Sequence, residues 1–187
     1  MGSAYKRASN SPERILEFDL SAELNHGMAV SNLAYAVATR LGLNAHLCYE
    51  LAIAGMLHDI GKLKLTCYIN GQESNPLVIE ELKYVRMHPT LGYEELKDQG
   101  YSEFILESIL YHHENYDGSG YPMNKAGEEI PIGARILRVC DVYSALVSDR
   151  PYRKAFDKAT AVELMIDEVK NFDMNVFIAF QKVIHNT

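Results

Sequence analysis

The chain has 187 residues, 48% of them apolar and 23% charged, with a formal net charge of −7. That length suits one domain with a single buried core and the composition is that of an ordinary globular protein, while the negative balance speaks against general DNA or RNA binding. No apolar run approaches the ~18 residues of a membrane span, and Cys48, Cys67 and Cys140, an odd set with no CxxC spacing, read as reduced thiols of a cytoplasmic protein.

Residues 1–14 are polar and lack the apolar stretch of a secretory signal, so they are expected to be a flexible tail ahead of one domain over 15–187. A helix is predicted over 21–40, with Ser21 as its N-cap and Gly42 as its stop. Residues 45–58 are apolar on nearly every face, which predicts a central, buried helix ended by Ile60-Gly61. Asn75-Pro76 opens a helix that runs to about His88, where Pro89 intervenes. Short helices follow at 90–98 and 102–113, with Gly100 between them and Ser102 as a cap. Residues 114–131 hold Gly118, Gly120, Pro122, Gly127 and Pro131, so they form a long loop, and a loop of that length inside a compact domain is usually functional or disordered. Helix resumes at 132–148. Thr160 and Glu163 fit a capping box opening a helix to Asn171, and a last helix spans 175–185. With no hairpin signal and no repeat, the fold class is all-α.

The chemistry lies in the histidines. Five of the seven, His26, His58, His88, His112 and His113, fall on apolar helices or at their ends. His58 is followed by Asp59, and Asp141 lies inside an apolar helix where an unpaired carboxylate would be costly. Imidazole and carboxylate together suit iron, manganese, nickel, cobalt or zinc. Each residue has a plainer reading. His26 alone suits a core histidine, His88 a helix-end residue favoured by the dipole, and Asp141 a buried acceptor. His46 and His185 lack supporting neighbours and are read as structural.

The ordered set His26, His58-Asp59, His88, His112-His113 and Asp141 resembles an HD-domain phosphohydrolase. The strings HDIGK at 58–62, HHENYDGSGYP at 112–122 and DRPYR at 149–153 resemble the HD-GYP branch of that family. The resemblance covers roughly residues 20–180. It implies a helical bundle of about seven to eight helices with a long Gly-Tyr-Pro loop. It also implies a phosphodiesterase that cleaves cyclic di-GMP to linear pGpG or on to GMP, at a binuclear or trinuclear site that is often iron or manganese. By the same resemblance His26, His58, Asp59 and Asp141 surround one metal, and Asp59 bridges to a second held by His88, His112 and His113. A hydroxide bridging the metals would then attack the phosphodiester. Lys62 would reach that hydroxide or a phosphate oxygen, Tyr121 would contact phosphate or base, and Arg150 with Arg153 would bind substrate phosphate. Asp117 and Asp149 would brace loops and Glu114 would orient a histidine.

The chain departs from the family in places. A glutamate four residues before the first histidine holds the third metal in relatives that have one. Ala22 stands there, with Glu23 one position out of phase, which speaks for two metals. The stretch 63–80 matches poorly. Ser144 occupies a position where many relatives have aspartate. Two further readings stay open: a hydrolase of another cyclic dinucleotide such as cyclic GMP-AMP, and a non-catalytic module that senses a dinucleotide or docks a signalling partner.

Overall fold

A computed structural model describes residues 19–64, 85–149 and 153–185, so the tail, the Asn75-Pro76 helix start, Cys67 and Arg150 lie outside the described residues. The described elements are helical: α1 (Leu20–Arg40), α2 (Ala45–Leu57), α3 (His88–Leu96), α4 (Glu103–Leu110), α5 (Ile132–Leu146), α6 (Lys158–Asp167) and α7 (Met174–Ile184), with 3-10 turns at Gly127–Glu129 and Val169–Asn171. The expected all-α class holds, and no helix among the described residues is long and apolar enough to cross a membrane.

Helix starts follow capping chemistry, though not always through the expected residue. The α1 cap is Asp19, whose carboxylate accepts from the Ser21 and Ala22 amides, so Ser21 lies inside the helix. Asn44 caps α2 and Ser102 caps α4, the latter as expected. The Thr160–Glu163 box is not the start of α6. Asp157 caps that helix by accepting from both the amide and the hydroxyl of Thr160. An Asp whose two oxygens take two donors outcompetes the later Thr.

Two expectations about burial and boundaries are corrected. Helix α2 is not buried all round: Cys48, Leu51 and Ala54 face the core, while Tyr49 is 61% and Ile53 42% exposed. His88 opens α3 rather than ending the preceding helix. Pro89 causes this, because proline in a first turn loses no hydrogen bond the helix needs, so it marks a beginning as readily as an end.

The core joins α1, α2, α4, α5 and α7 through Val30, Ala34, Leu51, Ile109, Leu137 and Phe180, all without solvent exposure. Helix α3 packs on α4, and α6 on α5. The turn after α2 presses on the start of α3 at Gly61, where a Cβ would stand 2.0 Å from the His88 carbonyl oxygen. Only glycine permits that approach, and it brings His58-Asp59 beside His88. In the long loop Gly120 plays the same part, since a Cβ there would meet the Asn115 amide at 2.2 Å, while Gly118 has a positive φ of 83°. The loop is tied to the body by Tyr121 N–H to the His113 carbonyl (3.2 Å) and Tyr116 N–H to that of Asn171 (3.0 Å); the Tyr121-Pro122 bond is cis.

Candidate metal centre

Five helices deliver their functional side chains to one point. His26 comes from α1, His58 and Asp59 from the turn closing α2, His88 from the first residue of α3, His112 and His113 from the turn after α4, and Asp141 from α5. His26, His58, His88 and His112 are buried. Asp59 sits between two groups. Its Oδ1 is 3.1 Å from His88 Nε2, and its Oδ2 is 3.3 Å from His58 Nε2 and 3.8 Å from His26 Nε2. Asp141 Oδ1 lies 2.9 Å from His26 Nε2 and 3.7 Å from His58 Nε2. The trio His88, His112 and His113 and the trio His26, His58 and Asp59 each bring donor atoms within 4.8 Å of one another, and His58, His112 and Asp141 join the two.

The histidines are set for this by backbone carbonyls three residues earlier. His58 Nδ1 lies 2.8 Å from the Gly55 oxygen, His88 Nδ1 2.6 Å from that of Val85, and His112 Nδ1 2.6 Å from that of Ile109. A carbonyl only accepts, so each Nδ1 carries a proton, and in the neutral ring Nε2 presents a lone pair to the centre. The Nε2 atoms of His88 and His112 then face each other at 3.2 Å with no proton to share. His58 Nε2 and His26 Nδ1 are buried without a hydrogen-bond partner. Imidazole nitrogens and carboxylates that converge on one point are a fit for cations, and the donor set is that of iron, manganese, nickel, cobalt or zinc.

Protonation follows the same division. Burial opposes a charge on His58, but the Asp59 and Asp141 carboxylates outweigh it and push the imidazole up to about 10. Burial would raise Asp59 and Asp141, yet His58 and Lys62 around the first, and His26 and His58 around the second, hold both well below the usual carboxylate range. Burial pushes His113 down to about 3 against the pull of Asp141, and burial with the neighbouring imidazoles holds His112 well below its ordinary value. The second trio therefore keeps the neutral rings that metal ligation requires.

A cavity of about 500 Å³ opens on the cluster, with Lys62, Tyr121 and Arg153 in its wall. Lys62 Nζ is 2.5 Å from Asp59 Oδ2 and 3.3 Å from Glu23 Oε2. Burial disfavours its charge, but the two carboxylates raise its pKa, so it stays an ammonium. Glu23, out of phase for a metal, thus holds the lysine. Tyr121 stacks on His113, centroids 4.8 Å apart at 21°, and burial pushes its hydroxyl up to about 12.

Two neighbours differ from expectation. Arg153 reaches the wall, but its guanidinium nitrogens donate to the carbonyls of Ala145, Leu146 and Lys154 and its plane lies 4.4 Å from the Phe156 ring centre. It ties off the end of α5, whose last carbonyls have no partner within the helix. Glu114, 1% exposed, accepts from the Met123 amide and makes no hydrogen bond to a histidine among the described residues, so it anchors the loop. Asp117 and Asp149 do brace loops, accepting from Ser119 and from Lys154 and Ala155. The sequence reading missed Arg138, one helical turn before Asp141, which donates from Nε to Asn115 Oδ1 at 2.9 Å, and Arg86, which lies over Tyr121. Spacing could have found Arg138, since i and i+3 share a helix face.

Comparison with known proteins agrees with this geometry. The chain matches the HD domain family over residues 10–176. It is 41% identical over 160 residues to a cyclic di-GMP phosphodiesterase of Pseudomonas aeruginosa, covering 85% of this chain and 38% of that protein. It is 33% identical over 156 residues to 3′3′-cGAMP-specific phosphodiesterase 1 of Vibrio cholerae, covering 81% of this chain and 36% of that protein. The chain thus spans less than half the length of these curated relatives. Among solved structures, a HDG"Y"P protein from Bdellovibrio bacteriovorus superposes with a TM-score of 0.69 at 22% identity, over 87% of this chain and 52% of that one. A family match over nearly the whole chain, on a fold that gathers the matching histidines and aspartates, places this chain in the HD domain family, in the HD-GYP branch whose motifs it carries.

Proposed function

We propose that this domain is a metal-dependent phosphodiesterase that hydrolyses cyclic di-GMP to linear pGpG or on to GMP. The observation that carries the reading is Asp59, whose two oxygens face two separate histidine groups. His26, His58, Asp59 and Asp141 would hold one divalent cation, and His88, His112 and His113 with Asp59 the second. The resemblance to the family speaks for iron or manganese, and Ala22 in place of a glutamate favours two ions over three. Bound there, two cations supply Lewis acidity at the phosphoryl oxygens and an activated water.

The chain's own residues do the rest. Lys62 keeps its protons at Nζ, so it acts as a hydrogen-bond donor to a phosphate oxygen and not as a base. Asp59 stays ionised beside it and fixes its position. Tyr121 forms the cavity wall beside His113, and with Arg153 engaged at the end of α5, Arg150 of the same DRPYR string would bind substrate phosphate. The 33% identity to a cGAMP-specific phosphodiesterase favours cyclic GMP-AMP as the second reading. Signalling proteins that dock on the domain would act through this same centre.

The test is hydrolysis of both dinucleotides by manganese- or iron-loaded protein, resolved by chromatography, beside a His58→Ala/Asp59→Ala variant. Cyclic di-GMP turnover that vanishes in the variant supports the proposal, and faster turnover of cyclic GMP-AMP transfers it to the second reading. No turnover of either at full metal occupancy contradicts both and leaves a binding module.

A further inference from the structure

Arg86 has no part in the metal centre, yet it lies over Tyr121, which lines the cavity. Its guanidinium carbon lies 5.3 Å from the centre of the Tyr121 ring. His113 stacks on the same ring with centroids 4.8 Å apart, so Tyr121 stands in contact with both a histidine of the cluster and the guanidinium. The neighbouring Val85 lines the cavity, and its carbonyl accepts from His88 Nδ1, which ties the backbone here to a ligand while the Arg86 side chain stays exposed.

The other cations described near the cavity are engaged. Lys62 is paired with Asp59 and Glu23, Arg153 with carbonyls, and Arg138 with Asn115. Arg86 is held among the described residues only by an aromatic ring, a weak contact at an exposed site that a better partner can replace. Its contact is an aromatic ring and not the donor atoms of the histidine and aspartate groups, which suits it to a flat base more than to a phosphate seated at those donors. A guanidinium is flat and delocalised and stacks on π faces, so it occupies the Tyr121 face as a purine would.

We propose that Tyr121 and Arg86 form a base-stacking subsite, in which a purine of the cyclic dinucleotide takes the open face of Tyr121 and Arg86 closes over the outer face of that purine. This rests on the phosphodiesterase reading. It makes Arg86 a substrate-positioning residue.

The test measures kcat and KM of manganese-loaded wild type, Arg86→Ala, Arg86→Gln and Arg86→Lys. The substrates are cyclic di-GMP, cyclic GMP-AMP, cyclic di-AMP and bis(p-nitrophenyl) phosphate, whose single rings offer less stacking area than a purine. Losing the stack raises KM for the preferred cyclic dinucleotide about tenfold with kcat changed far less. The ratio of kcat/KM for that dinucleotide over the small diester falls by a similar factor in the Ala and Gln variants. Arg86→Lys restores less than half of it, because an ammonium is a point charge. Equal losses on dinucleotide and small diester would show that Arg86 only braces the fold and would overturn the proposal, as would an unchanged KM or refusal of every cyclic dinucleotide by the wild type. Refusal of cyclic di-GMP alone, with another cyclic purine dinucleotide cleaved in the same Arg86-dependent way, would sink the cyclic di-GMP reading and leave the subsite standing.

Discussion

The metal centre and the cavity mouth are built by different means. At the centre His58, His88 and His112 are fixed by backbone carbonyls one helical turn back, so their lone pairs are aimed before any ligand arrives. At the mouth Lys62, Tyr121 and Arg86 are held by other side chains, through ion pairs and ring contacts that can be exchanged. The centre is preorganised for charge, and the mouth is adjustable for substrate. Substitutions in the two regions should therefore fail in different ways.

The largest effect belongs to the centre. His58→Ala or Asp59→Asn should cut turnover on the order of 10³-fold or more, several kcal/mol of lost charge stabilisation, and should lower bound metal, which assay and elemental analysis of the same sample would show. Lys62→Met removes one fixed donor and should lower kcat by about 10²-fold at unchanged metal content; a parallel loss of metal would move Lys62 from the mouth to the centre. Gly61→Ala drives a Cβ into the His88 carbonyl and should cost about 3 kcal/mol, read from urea unfolding, with metal affinity falling as His88 shifts.

A smaller effect is in pH. His113 has its folded pKa pushed down to about 3, below the ordinary 6.5, so its contribution is complete above 6.5 and is lost as pH falls toward 3. His58 has its folded pKa pushed up to about 10, so its contribution is complete below 6.5 and is lost as pH rises toward 10. Chelated protein should be most stable near pH 6.5, and metal, which takes His58 in its neutral form, should flatten the alkaline limb of a urea-midpoint profile. An alkaline limb that survives full metal loading would mean His58 is not a ligand. The smallest effect is Arg153→Ala. As a tie for the end of α5 it should lower stability by about 1 kcal/mol with a modest rise in KM. A tenfold KM rise at unchanged stability would return it to phosphate binding.

Much of this was legible in the sequence because metal ligation needs particular side chains. His26, His58, Asp59, His88, His112, His113 and Asp141 were all named from residue type and placement, and the structure gathers them. Helix boundaries were less legible where two signals compete. Asp19 lies two residues before Ser21, Asp157 precedes Thr160, and Pro89 serves equally to end one helix or open another. The mouth was the hardest to read. Arg153 looked like a phosphate ligand because its type suits phosphate, but its partners are carbonyls set by how the chain returns to α5. Arg86 meets Tyr121 across a gap of 34 intervening residues, a contact that no local pattern encodes.

The most direct test of the central claim is anomalous diffraction at the manganese edge from crystals of manganese-loaded protein. Two peaks are expected, one among His26, His58 and Asp141 and one among His88, His112 and His113, both within bonding distance of Asp59. A single peak, or peaks that do not share Asp59, would contradict the two-cation account.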